Sequence, residues 1–294
     1  MLSFKSGLLT MAMEINHCGV VGHPIDHSLS PVLHEAAYQA LGILGEWNYS
    51  RHDVQPDELG AFISGLDSSW RGLSVTMPHK QEAFDVADEL DARAELTGAV
   101  NTLLFTQTDG SRHISGFNTD VHGIVSAISS KQAHSLRHIA VIGGGATASS
   151  AIVAAAELGA EDVTVIVRNV PKAQPLIEIG HRAGLRVRII DSAELVPIDA
   201  VDAAISTLPG TVEFDLSQLP RSDGAILLDV AYDPWPSRKA IAWSDAGGVT
   251  VSGLHMLAAQ ALIQVRIFTT GDPFQELPRE EFVLSAMFAS VGLN

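Results

Sequence analysis

Lys80 closes the stretch SVTMPHK and Asp120 closes SGFNTD, and an ammonium group set against a carboxylate is a pair able to hand over and take back a proton. Pro78 turns the chain out of the apolar run before it, so Lys80 is expected to project from a strand tip, where ligand-facing residues concentrate. Alone, such a lysine reads as a solvated surface charge. An aspartate ahead of the helix-patterned VHGIVSAISS reads equally as a helix cap. Asn101-Thr102 and the Ser28-Leu29-Ser30 turn shift the balance, because with them the strand ends and loops offer hydroxyl, amide, ammonium and carboxylate groups together. That set suits a small polyhydroxylated ligand.

Downstream, Gly143-Gly144-Gly145-Ala146-Thr147-Ala148 has the spacing G-x-G-x-x-A between apolar HIAVI and ASSAIVAAAELG. In a strand, turn and helix context this spacing binds a dinucleotide. Gly143 permits the tight turn, Gly145 lets the backbone approach a pyrophosphate, and the helix N-terminus supplies donors and dipole. A purely structural glycine turn is the alternative. The next strand, VTVIV, runs into Arg168, Asn169 and, three residues on, Lys172, with no carboxylate nearby. NAD binders place an acid there for the ribose 2′-hydroxyl, whereas two cations and an amide suit a 2′-phosphate, so NADP is the expected cofactor. A solvated Arg and Lys at a helix start is the bland reading of the same residues.

The elements that must position these groups alternate along the chain. CGVVG, EWNYSRHDV and RGLSVTMP read as strands, with SPVLHEAAYQALG and PDELGAFISGL as helices between them, Ser30 capping the first of these and Pro31 in its first turn. KQEAFDVADEL reads as a further helix, and AVNTLLFTQTDGSRHISGF as a hairpin turning at Asp109-Gly110. After the glycine turn come strands at RVRII, VDAAIST and AILLDVAY, which implies a parallel sheet with helices on both faces. The tail from MLAAQALIQVRIF onward holds two helical segments and no strand, so it is expected to pack back on the first unit. The fold class is therefore α/β with two α/β domains: a substrate domain over 14–120, completed by 254–294, and a Rossmann-type doubly wound domain over 121–253.

Length and composition bound these readings. A chain of 294 residues, 46% hydrophobic, builds real cores, and 18 Lys plus Arg against 34 Asp plus Glu give −16, which disfavours nucleic-acid and anionic-membrane partners. The single Cys18 makes no internal disulfide, and a reducing, cytoplasmic setting fits. No metal is expected: His17, His23, His27 and His34 lack ligand spacing, and hydrogen-bonding or surface roles explain them. No G-x-S-x-G elbow supports a hydrolase. MLSFKSGLLTMAM lacks a secretory apolar core and reads as a disordered extension, with Met11 or Met13 as other possible starts.

Taken together, GHPIDHSLSP, SVTMPHK, GAVNT, GFNTD, DPWP and SGLHMLAAQA resemble the shikimate dehydrogenases, in order and from about residue 17 to the C-terminal helices. SVTMP and AYDPWP resemble the actinobacterial members. The resemblance implies reversible NADPH-dependent reduction of the C3 carbonyl of 3-dehydroshikimate to shikimate. It implies that Ser28 and Ser30 hold the substrate carboxylate, that Thr76, Asn101 and Gln260 hold its hydroxyls beside the catalytic pair Lys80 and Asp120, and that Tyr232 lies near substrate and nicotinamide. Tyr232 reads equally well as core or interface packing. On the cofactor side it implies Gly143, Gly145, Ala146, Thr147, Arg168, Asn169, Lys172 and Gly253. A lysine ordinarily titrates near 10.4 and a neighbouring carboxylate favours its charged form, so Lys80 is expected as the acid in reduction, with Asp120 orienting it. Two positions depart from the family pattern: Ala146 stands where a further glycine is usual, and Val167-Arg168-Asn169 where Asn-Arg-Thr is common. Only small molecules are expected as partners, the chain acting as a monomer or homodimer. The rival readings are a quinate/shikimate dehydrogenase using NAD and a non-catalytic NADP-binding module.

Overall fold

The computed structural model describes residues 15–108, 110–132, 134–193 and 198–293. The proposed N-terminal extension and alternative starts lie outside the described residues, as does Asp109 of the expected hairpin turn; its neighbour Gly110 sits at φ 79°.

The first half folds as β1 (Asn16–Gly22), α1 (Ser30–Leu41), β2 (Trp47–Asp53), α2 (Leu59–Ser64), β3 (Trp70–Val75), α3 (Lys80–Val86), β4 (Glu89–Leu90), α4 (Ala92–Thr97), β5 (Thr102–Thr108), β6 (Ser111–Phe117) and α5 (Asp120–Ser129). Its sheet runs β2-β1-β3-β5-β6-β4, parallel from β2 to β3 and antiparallel through the β5–β6 hairpin. The central strand β1 is buried over Cys18 to Gly22, whereas edge strand β2 alternates, as one-sided packing requires.

The structure departs from the expected local elements at α3, at Lys80 and at the start of α1. KQEAFDVADEL is not one helix: Ala87 is extended (ψ 134°), and the N–H of Asp88 pairs with the Ile114 carbonyl at 2.8 Å while its carboxylate accepts from Ile114 N–H at 2.8 Å, so the chain leaves α3 to join β6. Lys80 accordingly opens a helix rather than ending a strand. Ser30 does not cap α1; the cap position is Leu29, and Ser30 is the first helical residue, its N–H facing Ser28 Oγ at 3.3 Å. The helix α4 was not anticipated, although Asp91 caps it by accepting from Ala94 N–H at 2.7 Å and Gly98, at φ 67°, ends it.

The second half comprises β7 (His138–Ile142), α6 (Ala146–Glu157), β8 (Asp162–Val167), α7 (Val170–Ala173), α8 (Pro175–Arg182), β9 (Arg186–Asp191), β10 (Val201–Ser206), β11 (Arg221–Asp229), α9 (Arg238–Asp245), β12 (Val249–Ser252), α10 (Gly253–Thr270) and α11 (Glu280–Ser290). Its sheet is wholly parallel in the order β12-β11-β10-β7-β8-β9. That is the doubly wound arrangement, whose direction reverses between β7 and β10 and opens a crevice at their carboxyl ends.

Two helices belong to both halves. Val121, Ile124, Ala127 and Ile128 of α5 sit in the core of the second sheet, although Asp120 at the helix start turns toward the first. Met256, near the start of α10, joins that core, while Ala258 to Phe268 pack with α1 and α11 against the first sheet. Among the described residues no helix is long and apolar enough to cross a membrane.

Candidate active site

A cavity of about 280 Å³ lies where the two halves meet. Ser28, Ser30, Thr76, Lys80, Asn101 and Asp120 line it from the first half, Gln260 from the part of α10 packed on the first sheet, and Thr147, Val230, Tyr232 and Gly253 from the second half. All eight residues expected at the substrate and in the catalytic pair therefore come together, joined by two that were expected at the cofactor.

Local structure explains the convergence. Thr76 and Lys80 flank a turn closed by the His79 N–H to Thr76 carbonyl bond at 3.0 Å, which starts α3 under the cavity. The buried His79 ring faces the Val54 carbonyl at 2.8 Å and Glu82 Oε2 at 2.9 Å, while Glu82 Oε1 accepts from Leu59 N–H at 2.7 Å at the start of α2. Lys80 thus starts from a backbone tied on both sides. Arg51 donates twice to the Ser28 carbonyl, at 2.9 and 2.7 Å, and fixes the serine turn.

Lys80 Nζ donates to Asp120 Oδ2, and Asn101 Nδ2 donates to Asp120 Oδ1 at 2.8 Å. The lysine and aspartate side chains are only 13% and 7% exposed, so the pair is largely withdrawn from bulk water, where Coulombic coupling is strong. The ammonium has two further N–H donors, and Lys80 lines the cavity. Tyr232 is held neutral, because burial pushes its phenol upward and the nearby Asp233 carboxylate adds to the shift.

The serine turn has a buried support. His34 Nδ1 faces the Ser30 carbonyl at 2.9 Å, so that nitrogen carries the proton, and the ring stacks on Tyr49 with centroids 3.8 Å apart. Burial pushes the His34 imidazole down from 6.5 to about 4. The folded state favours the neutral ring, so the unfolded chain takes up a proton first as the pH falls. The contribution is complete above about 6.5 and is lost toward 4. Denaturant unfolding is expected to show roughly 2 kcal/mol less stability at pH 5 than at pH 7 from this group, and His34→Gln to remove that portion of the slope. An equal slope in wild type and variant would rule out His34 as its source.

A second cavity, of about 720 Å³, opens at the carboxyl ends of β7, β8 and β10. Gly143, Gly144, Gly145, Arg168, Asn169 and Lys172 line it. At Gly143, φ is 117° and a Cβ would collide with Thr207 Oγ1, so only glycine fits the turn; at Gly145 a Cβ would meet nothing within 4 Å and would intrude on the open space before α6. This bare turn at a helix start, with Arg168 and Lys172 in no ion pair among the described residues, fits a dinucleotide carrying a ribose phosphate; of the two carboxylates that share the cavity, Glu213 is paired with Arg238, and Asp215 accepts from Ser217 N–H. Asn169 has an additional task, since its Oδ1 caps α7 by accepting from Lys172 N–H at 3.0 Å, while the residue also lines the cavity. Ala146 begins α6 and lines neither cavity, while Thr147 and Gly253 open on the first one.

Among the lining residues that sequence reading missed are Ser192, Leu208, Glu213 and Asp215 in the second cavity and Ser74, Met256 and Gln264 in the first. Signals existed. Ser192 is the first residue after β9 and Leu208 the second after β10, Ser74 is two residues before Thr76 and on the same side of the chain, and Gln264 lies one helical turn beyond Gln260.

Comparison with known proteins agrees with this geometry. The profile of the shikimate dehydrogenase substrate binding domain matches residues 20–103. The shikimate dehydrogenase (NADP(+)) of Methanopyrus kandleri is 34% identical over 280 residues, covering 91% of this chain and 94% of that protein. The crystal structure of Mycobacterium tuberculosis shikimate dehydrogenase superposes with a TM-score of 0.76 at 39% identity, over 93% of this chain and 99% of that one. The shikimate 5-dehydrogenase of Thermus thermophilus, solved in complex with NADP(H) and shikimate, gives a TM-score of 0.76 at 27% identity, over 94% and 100% of the two chains. By sequence, fold and matched domain, this chain belongs to the shikimate dehydrogenase family.

Proposed function

We propose that the protein is an NADP-dependent shikimate dehydrogenase that interconverts 3-dehydroshikimate and shikimate, a step toward chorismate and the aromatic amino acids. The observation that carries the reading is that Thr147, one residue into the helix after the glycine turn, lines the same cavity as Lys80 and Asp120. Bound NADPH supplies a hydride to the carbonyl carbon of the substrate.

The protein's own groups do the rest. Ser28 and Ser30 bind the substrate carboxylate, and Thr76, Asn101 and Gln260 receive its hydroxyls, with Tyr232 as a neutral donor closing the cofactor side. Lys80 donates a proton to the oxygen as the carbonyl becomes an alcohol, and takes it back in the reverse direction. Asp120 holds the ammonium in line and balances its charge. Arg168, Asn169 and Lys172 would hold the ribose phosphate of the cofactor and the turn at Gly143 to Gly145 its pyrophosphate, while Gly253 leaves room for the Val230 carbonyl, which a Cβ would strike. In this reading residues 14–120 with 254–294 form the substrate domain and 121–253 the cofactor domain. The working form is a cytoplasmic monomer or homodimer without nucleic-acid or membrane partners.

Nicotinamide absorbance with purified protein, titrating shikimate and quinate separately against NADP⁺ and NAD⁺, tests the reading. Fast turnover confined to shikimate with NADP⁺ is expected. Preference for quinate with NAD⁺ would assign a catabolic enzyme instead, and no turnover in any pair would leave a binding module.

A further inference from the structure

Behind the catalytic pair lies a chain of buried side chains that the proposed reaction does not itself use: Tyr49, Ser74, Gln264 and Thr102. Two backbone groups fix the direction of its hydrogen bonds. The Thr119 N–H can only donate, so Asn101 must turn its Oδ1 to it, at 2.9 Å, and its Nδ2 to Asp120. The Asn101 carbonyl can only accept, so Gln264 must turn its Nε2 to it, at 3.2 Å; the same amide donates to Thr102 Oγ1 at 3.0 Å. Gln264 Oε1 is then left to accept from the Ser74 hydroxyl at 2.8 Å, and Ser74 in turn accepts from Tyr49 OH at 2.6 Å. Thr102, having accepted, donates to Asn101 Oδ1 at 2.8 Å. Every member gives in one sense, from Tyr49 toward Asp120.

We infer that Gln264 is a positioning residue for the reaction: it donates to the Asn101 carbonyl and to Thr102, which in turn donates to Asn101 Oδ1, so that with the Thr119 N–H it holds the Asn101 amide with an N–H donor on Asp120 while Lys80 occupies the other oxygen. The inference rests on the proposed reaction only for the activity it reads. Were the Asn101 amide to turn over, its oxygen would face the Asp120 carboxylate and its NH₂ would face the Thr119 N–H, which are two repulsive contacts in a site withdrawn from water. Gln264 is 2% exposed and sits on the long helix α10, so the position is rigid. The titratable groups around the chain are Lys80 and Asp120 beyond Asn101, and at the other end Tyr49 with the stacked His34 and, next to them, Tyr38 and Cys18.

Gln264→Glu keeps the shape but, when ionised, only accepts, so it repels the Asn101 carbonyl and strips Thr102 of its donor. A buried carboxyl takes up a proton more readily than an exposed one, and once protonated it restores one donor. The kcat of Gln264→Glu relative to wild type is therefore expected to be about tenfold down at pH 8 and to climb back as the pH is lowered, because positioning losses of this size follow small displacements of reacting groups. Gln264→Met is expected to show a similar loss with a ratio that does not change with pH. Any nicotinamide-linked turnover of the wild type serves, whichever substrate it favours, so a failed substrate assignment is read separately from a failed relay. Side-chain amide exchange of Asn101, followed by ¹⁵N NMR without substrate, is expected to be faster in Gln264→Met than in wild type. Wild-type kcat and wild-type exchange in Gln264→Met would overturn the inference, even where Gln264→Glu fails to fold. An equal loss in both variants at every pH would also overturn it, since that is the mark of packing alone.

Discussion

Lys80→Met is expected to lower kcat about a thousandfold, the range over which a positioned proton donor contributes, while cofactor affinity stays within about a factor of two of wild type. Methionine preserves the length and apolar stem of the lysine and removes only the ammonium. The cofactor cavity is lined by other residues, so its binding has no reason to change. The carboxylate of Asp120 loses its cationic partner yet retains the Asn101 donor at 2.8 Å. Leaving a buried carboxylate without its cation destabilises a protein by about 3 to 5 kcal/mol, so thermal unfolding must accompany the assay. Lys80→Met with Asp120→Asn removes both charges and should recover most of that stability without recovering turnover. Single-turnover absorbance on folded protein separates the two effects: hydride transfer at the wild-type rate in Lys80→Met would end the assignment of this lysine as the proton donor.

The second large effect is expected in cofactor choice. Arg168→Ala should raise the KM for NADP⁺ by roughly 10- to 100-fold, the equivalent of one charge-assisted hydrogen bond, and leave the KM for NAD⁺ nearly unchanged. Arg168 follows β8 at the rim of the second cavity, next to the Asn169 cap and within one helical turn of Lys172. Arg168→Asp would place a ribose 2′-hydroxyl acceptor where NAD binders keep one and is expected to shift preference further toward NAD⁺. Steady-state kinetics with both cofactors check this, and an unaltered NADP⁺/NAD⁺ ratio in Arg168→Ala would assign discrimination to other residues of the rim.

The parts of the molecule legible in the sequence were those whose signals are local. The glycine turn between HIAVI and ASSAIVAAAELG specified both the start of α6 and the crevice beside it, because strand, turn and helix follow each other without a break. Ser28, Lys80, Asn101 and Asp120 read as one ligand set from their residue types at strand ends and loops, but their individual roles came from the family's motif order, as nothing local says that the loop after β1, α3, the start of β5 and α5 converge. What stayed hidden depended on tertiary pairing. Glu89 and Leu90 carry a helical pattern, yet the open edge of β6 captures them, since backbone partners there outweigh a weak propensity. Gln264 was invisible for a related reason: a glutamine in an apolar helix looks like a flaw until Ser74 and Thr102 arrive from other strands.

Helix α10 also has a mechanical role. Gly253 opens it at the cofactor-side wall, Gln260 reaches the same cavity seven residues later, and Gln264 follows one turn on. At 1.5 Å per residue the first two are separated by roughly 10 Å along a single rod, and each added residue would swing everything beyond it by about 100°. The helix is thus a ruler. Separation of the two walls along this element is set by covalent length and pitch, so an insertion between 253 and 260 is expected to turn Gln260 away from the cavity that Gly253 opens on, whatever residue is added.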